Sequence, residues 1–270
     1  MIVIRFCQLK LKLISTKRWV AFIFLLLTSI YYLFMFYLPL TPTPSISEFI
    51  LVMFNDQTFI CYYVLFFLIL IGADSYSSVI LKFNDQVFSV IGNRKVWLDS
   101  YLVYLYIISL FLIISIAIAA ISLPAIFGCK FVTEKFWNVN YSQYVLGHGQ
   151  LFTIINILLL LLCRIFTFLN IIFCMNLIAQ TYPLGIIVAS IVSLLDKFFY
   201  EMFDIMVPIG ILPIEHTRIF YTEAVAPANT FATRTSLASS YLYWVLLCLI
   251  IITISKIIAK RKNFMALKSE

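Results

Sequence analysis

Long uncharged apolar runs, separated by shorter polar pieces, organise this chain from end to end. Residues 19–47 hold no Lys, Arg, Asp or Glu, and their apolar core runs from Trp19 to Leu38. About 20 mostly apolar residues suffice for a helix to cross a bilayer. Pro39, Pro42 and Pro44 then end the helix, because proline lacks the N–H that a helix interior needs. The second run is Thr58 to Ala73, and the third is about Tyr101 to Leu123, inside a stretch with no charge between Asp99 and Lys130. Residues 149–195 carry one charge, Arg164, and are long enough for two spans. The turn signal Gln180-Thr181-Tyr182-Pro183 splits them into about 151–178 and 184–200. The last run, about 237–255, ends at Lys256. The runs are continuous rather than alternating, which favours helices over a β-barrel. The pattern therefore predicts an all-α polytopic membrane protein in one domain with six transmembrane helices.

Composition narrows the function classes. The chain is 63% hydrophobic and only 11% charged, against about 45–50% and about 25% in soluble domains. That excludes a soluble enzyme, a disordered chain and a nucleic-acid module, and no nucleic-acid partner is expected. The net charge of +7 comes from basic residues that cluster beside the spans. With the N-terminus inside, the inner parts (1–18, 74–99, 179–183 and 256–270) hold 13 Lys/Arg and 4 Asp/Glu. The outer parts (39–57, 124–150 and 196–236) hold 5 Lys/Arg and 8 Asp/Glu. Lys and Arg concentrate on the cytoplasmic side of membranes, so both termini are expected inside. Residues 1–18 carry five basic side chains among Ile, Val, Phe and Leu. They read as an amphipathic segment on the anionic inner leaflet, or else as a flexible basic tail. The first apolar run is about twice too long for a signal peptide.

The inner loop 74–99 has its own periodicity. Val79, Ile80, Phe83, Val87, Val90 and Ile91 share one helical face, with Ser78, Lys82, Asn84, Asp85, Gln86 and Ser89 on the rest. Gly92-Asn93 is a helix stop, and Arg94, Lys95 and Trp97 follow where the third span enters the bilayer. The helix either anchors the fold at the interface or docks a cytoplasmic partner.

The segment Gln86-Val-Phe-Ser-Val-Ile-Gly-Asn-Arg-Lys-Val-Trp-Leu-Asp-Ser100, leading directly into a span, resembles the corresponding loop of ABC-2 type exporter permeases. Those have six spans, both termini inside and an Arg-x-x-Trp signature just before the third span. The chain is most similar to the small permeases that accompany bacteriocin and peptide-antibiotic ATPases in the cytoplasmic membrane of Gram-positive bacteria. The resemblance implies that the loop is a coupling helix on a separate ATPase, with Phe83, Val87, Val90, Arg94, Lys95 and Trp97 as docking residues. It also implies two permeases, identical or homologous, working with two ATPases.

Polar residues inside the spans are the remaining candidates. Thr153, Asn156, Cys163, Thr167, Asn170 and Cys174 form a heptad-like stripe on the fourth span. Small and polar side chains favour helix–helix contact over lipid, so a permease dimer seam or a substrate path would both use this face. Arg164 lies beside it in mid-span, where a lone arginine costs about 2.5–3.5 kcal/mol on insertion scales. It is expected to face the bundle or a wet cavity, with Asp74 or Asp99 as candidate partners. The outer stretch Ile205–Ile214 is apolar and broken by Pro208, Gly210 and Pro213, which suggests a segment dipping back into the outer leaflet. Glu215-His216 has no second histidine at metal-ligand spacing, and no metal site is expected. The chain contains no Gly-x-x-x-x-Gly-Lys-Ser/Thr, so ATP is expected on a partner subunit and no cofactor on this chain. No catalytic motif stands out. Two functions follow as expectations: an exporter permease moving a hydrophobic or amphipathic substrate, or a non-transporting membrane immunity or sensor protein.

Overall fold

The computed structural model describes residues 4, 6–8, 11, 14–40, 45–72, 94–131, 149–179, 182–203, 213–214, 216–217 and 237–261. Among these the chain is helical, with one isolated bridge between Ser45 and Lys130. The helices are α1 (Thr16–Tyr37), α2 (Ile46–Asn55), α3, α4 (Arg94–Ile126), α5 (Gln150–Ala179), α6 (Tyr182–Phe203) and α7 (Leu237–Arg261). Helix α3 is composite: Phe59–Tyr63 and Leu68–Gly72 are π-helical turns on either side of Val64–Phe67.

Among the described residues four helices, α1, α4, α5 and α7, are long and apolar enough to cross a membrane, and the bent pair α2–α3 would add a fifth. Their outward faces are apolar: Phe24, Tyr32 and Phe36 on α1, Ile114 and Ile118 on α4, and Leu249 and Ile250 on α7 are all exposed. Ser109, Thr153, Asn170, Arg164 and Asp196 are buried instead. Greasy outside with polar groups inside is the packing of a protein whose solvent is lipid.

The region between the first two apolar runs is more ordered than a Pro-ended outer loop. Ser45 caps α2, its hydroxyl accepting from the Glu48 N–H at 3.3 Å. Glu48 is buried, and the Tyr37 hydroxyl donates to its carboxylate at 3.1 Å. Ile46 and Ser47 N–H groups donate to the Lys130 and Phe131 carbonyls, tying α2 to the end of α4. Asp56 makes the corner: it ends α2, and its carboxylate accepts from the Phe59 N–H at 2.7 Å. The two pieces are bent by 68°. Helix α4 stops at Gly128, whose φ of +78° suits a residue without Cβ. Gly149, at φ +85°, opens α5.

Contacts fix the relative helix directions. Trp19 meets Phe111 and Phe34 meets Phe127, so α1 and α4 are parallel. Phe22 meets Phe67 and Phe34 meets Phe49, so the α2–α3 pair returns antiparallel to α1. Tyr101 stacks on Phe173 and Tyr106 meets Phe166, so α5 opposes α4. Gly185 meets Asn176 and Asp196 meets Arg164, so α6 opposes α5. Tyr241 meets Asn156 and Ser255 meets Cys174, so α7 is parallel to α5. Directions thus alternate along the chain from α1 to α7, counting α2–α3 as one unit. Helix α5 is the hub, packed against α2, α4, α6 and α7.

Candidate functional site

Arg164 stands at the middle of α5, and its side chain is 2% exposed. Its Nη2 lies 2.9 Å from Asp196 Oδ2 on α6, a carboxylate that is 1% exposed. This replaces the expected partners Asp74 and Asp99. Asp196 sits inside α6, within the expected span 184–200. The reason is hairpin geometry: α6 runs back antiparallel along α5, and the two residues come level. Gly185 makes the close approach possible. A Cβ there would stand 2.2 Å from the Ile172 carbonyl and 2.6 Å from Asn176 Oδ1, and Asn176 Oδ1 accepts the Gly185 N–H at 2.7 Å.

Two more elements converge on the pair. Arg164 Nη2 donates to Cys61 Sγ of α3 at 3.7 Å, and the guanidinium lies over Phe168 at 4.9 Å. The π-helical turn around Cys61 departs from regular α-helical pairing. Its Cys61 carbonyl accepts the Ser193 hydroxyl of α6 at 2.8 Å. Arg164 Nη1 donates to Thr217 Oγ1 at 3.3 Å, and the Ile214 N–H donates to Asp196 Oδ1 at 3.0 Å.

Those last two bonds hold a non-helical turn. Its described residues are Pro213 and Ile214, the end of the apolar stretch, and His216 and Thr217 beyond it; the last three are buried. Thr217 closes the turn on itself, its N–H to the Ile214 carbonyl at 3.1 Å and its hydroxyl to the Pro213 carbonyl at 2.7 Å. His216 stacks on Tyr243 of α7 at 4.0 Å, and its Nδ1 lies 3.2 Å from Ser240 Oγ. Trp244 Nε1 donates to the His216 carbonyl at 3.1 Å. Irregular backbone at membrane depth is tolerated where protein satisfies its polar groups, and here helix side chains do so.

The α5 stripe meets α7 of the same chain. The Tyr241 hydroxyl donates to Asn156 Oδ1 at 2.8 Å, while Asn156 Nδ2 donates back to the Phe152 carbonyl. Thr167 and Cys163 lie beside Cys248, and Cys174 beside Ser255. Tyr241, Cys248 and Ser255 repeat every seven residues, matching the stripe. Asn170 Nδ2 donates to the Phe166 carbonyl at 2.7 Å. The stripe is therefore a seam inside one chain, and a second copy of the chain would have to use another face. Thr167 and Asn170 are buried in this seam, apart from the Arg164 cluster.

Phe83, Val87 and Val90, with the expected loop helix, lie outside the described residues. Arg94 is the first residue of α4, and Lys95 is exposed. Trp97 is buried instead, its ring 5.6 Å from Tyr101 and 6.1 Å from Phe173. Tyr101 and Phe173 stack at 4.3 Å, and Phe6 of the N-terminal segment packs on Tyr101 at 5.9 Å. Trp97 thus packs inside the bundle rather than offering its ring to a partner. Beside it, burial pushes the Cys7 thiol above its ordinary pKa, opposed by a backbone hydrogen bond.

Asp196, Cys61, Ser193, Thr217 and His216 did not stand out in the sequence. One signal was available: Arg164 lies sixteen residues before Gln180 and Asp196 sixteen after it, which a hairpin brings level. No group of three or more His, Cys, Asp or Glu among the described residues is arranged to hold a metal. Comparison with family models, curated proteins and solved structures finds no match.

Proposed function

We propose that this chain is the membrane-spanning permease subunit of an ATP-binding cassette exporter in a bacterial cytoplasmic membrane. It moves a hydrophobic or amphipathic substrate, a peptide or antibiotic, outward with ATP hydrolysed by a separate subunit. The observation that carries the reading is the alternation of helix directions. On this reading α6 and the bent pair α2–α3 cross as well as the four long apolar helices, and six alternating crossings would return both termini and the 74–93 segment to one side, to which the expected topology assigns 13 of the 19 basic residues. The amphipathic face of that segment, with Phe83, Val87 and Val90, then docks the ATPase, while Arg94 and Lys95 set its register. Trp97 supports the loop from within. A mid-span ion pair is a further support, since intramembrane charges mark pathways more often than mere scaffolding.

The test is recovery of an ATPase with the permease. In the native host, the tagged chain solubilised in detergent brings down a Walker-motif ATPase. Phe83→Asp leaves an unpaired charge buried in the interface, a change that costs about 2–5 kcal/mol or more. Membrane levels stay normal while ATPase recovery falls at least tenfold. A chain that recovers no ATPase in either form supports the immunity or sensor reading instead.

A further inference from the structure

We propose that the groove formed by α3, α5, α6 and α7 around Arg164 is a peptide-binding site. In this structure it holds the chain's own turn residues Pro213, Ile214, His216 and Thr217 in place of an amphipathic peptide. The inference rests on the exporter reading and names the chemistry of its cargo.

What the groove recognises is peptide chemistry. Asp196 Oδ1 accepts a backbone N–H, that of Ile214, at 3.0 Å. Trp244 Nε1 donates to a backbone carbonyl, that of His216, at 3.1 Å. Arg164 Nη1 donates to a side-chain hydroxyl, that of Thr217, at 3.3 Å. Tyr243 stacks on an aromatic ring, and Ile60 with Cys61 takes an aliphatic side chain, that of Ile214. Each contact comes from a helix side chain, and Arg164, Asp196 and Trp244 are all at least nine-tenths buried. Two of the contacts read main-chain groups that any peptide carries, so another segment of suitable shape satisfies them equally. The charged pair stays intact through the exchange: Arg164 and Asp196 hold each other through Oδ2 while Oδ1 is left for the ligand's N–H. A peptide entering the groove displaces the turn without exposing either charge to lipid.

The test needs neither transport nor the ATPase. The full chain carries Ile214→Cys as its sole cysteine, with Cys61 replaced by Ser to keep an acceptor for Arg164. It is placed in nanodiscs of phosphatidylethanolamine and phosphatidylglycerol and treated with a membrane-impermeant maleimide. The probe is an acetylated, amidated peptide with the sequence of residues 210–218, and a permuted peptide is the control. The expected result is slow labelling that the probe accelerates saturably and the permuted peptide does not. Trp244→Phe, which removes the donor to the His216 carbonyl and leaves the charged pair in place, accelerates labelling about fivefold without peptide, the weight of one hydrogen bond. Pro213→Cys, at a half-buried turn position, repeats the measurement in case Ile214→Cys loosens the turn by itself. Fast labelling at both positions in the otherwise unaltered chain overturns the proposal, as does labelling that the probe and its permuted form leave equally unchanged. Recovery of an ATPase together with labelling that ignores the probe overturns this inference alone and leaves the exporter reading standing.

Discussion

Two regions of this molecule are held together by opposite means. At one end of the bundle, Trp97, Tyr101, Phe173 and Phe6 make a cluster of rings 4.3–6.1 Å apart. At the centre, Arg164 and Asp196 are held by contacts to Cys61, Thr217 and Ile214, each with a required atom and direction. Ring packing is short-ranged but tolerant, and a neighbouring side chain can fill part of a loss. A buried charge is not tolerant, because lipid offers no hydrogen bond when a partner is removed. The aromatic end therefore degrades by degrees, while the polar centre fails when one member goes.

The largest expected effect breaks the centre. Arg164→Leu strands Asp196 as a buried, unpaired acid and costs about 3–5 kcal/mol of stability. Adding Asp196→Leu removes the stranded group and recovers most of the loss. Thermal unfolding in detergent of the two single variants and the double variant reads this directly, and additive losses would show that the pair is not coupled. Next is the hairpin that sets the pair's register. Gly185→Ala pushes a methyl into the Ile172 carbonyl and Asn176 and costs about 1–3 kcal/mol by overpacking. Asn176→Gly in the same chain relieves part of the clash, which the same unfolding assay detects.

At the aromatic end, Phe173→Leu keeps an apolar side chain and loses the stack on Tyr101. The expected cost is about 1 kcal/mol. A loss as large as that from Arg164→Leu would erase the contrast between the two regions. On the seam between α5 and α7, Tyr241→Phe deletes one hydrogen bond to Asn156, worth about 0.6 kcal/mol in a membrane protein. The smallest effect is chemical. Because burial raises the Cys7 pKa, less thiolate is present at a given pH, and Cys7 alkylates more slowly at pH 8 than a free cysteine. Tyr101→Ala removes the ring under Phe6 and speeds the reaction.

The same contrast explains what could be read from the sequence. Trp19–Leu38, Tyr101–Leu123, 151–178 and 237–255 were legible as helices because lipid selects long apolar runs, a local property. The stripe from Thr153 to Cys174 was legible as a packing face because helical periodicity is local too, although its partner, α7, was not. Arg164 was legible as buried against protein because a lone mid-span charge is costly. Its partner Asp196 was not, since the pairing depends on how α6 packs against α5. The short helix α2 escaped because prolines and a Ser-Ile-Ser-Glu stretch read as loop, whereas Ser45 in that stretch is a cap. His216 read as an unremarkable loop histidine, because its meaning lies in Ser240 and Tyr243, more than twenty residues further on.

The central claim is that the turn at 213–217 reaches the mid-span ion pair, and proximity tests it most directly. Arg164 contacts both Cys61 and Thr217, so a thiol at position 217 would lie close to the native thiol at position 61. With the other five cysteines replaced, Thr217→Cys is treated with a short bis-thiol-reactive cross-linker in native membranes, and the peptides are mapped by mass spectrometry. The account predicts an intramolecular link between positions 61 and 217, together with slow labelling of position 217 by an impermeant maleimide. Rapid labelling of position 217 from outside, with no link to Cys61, would contradict it.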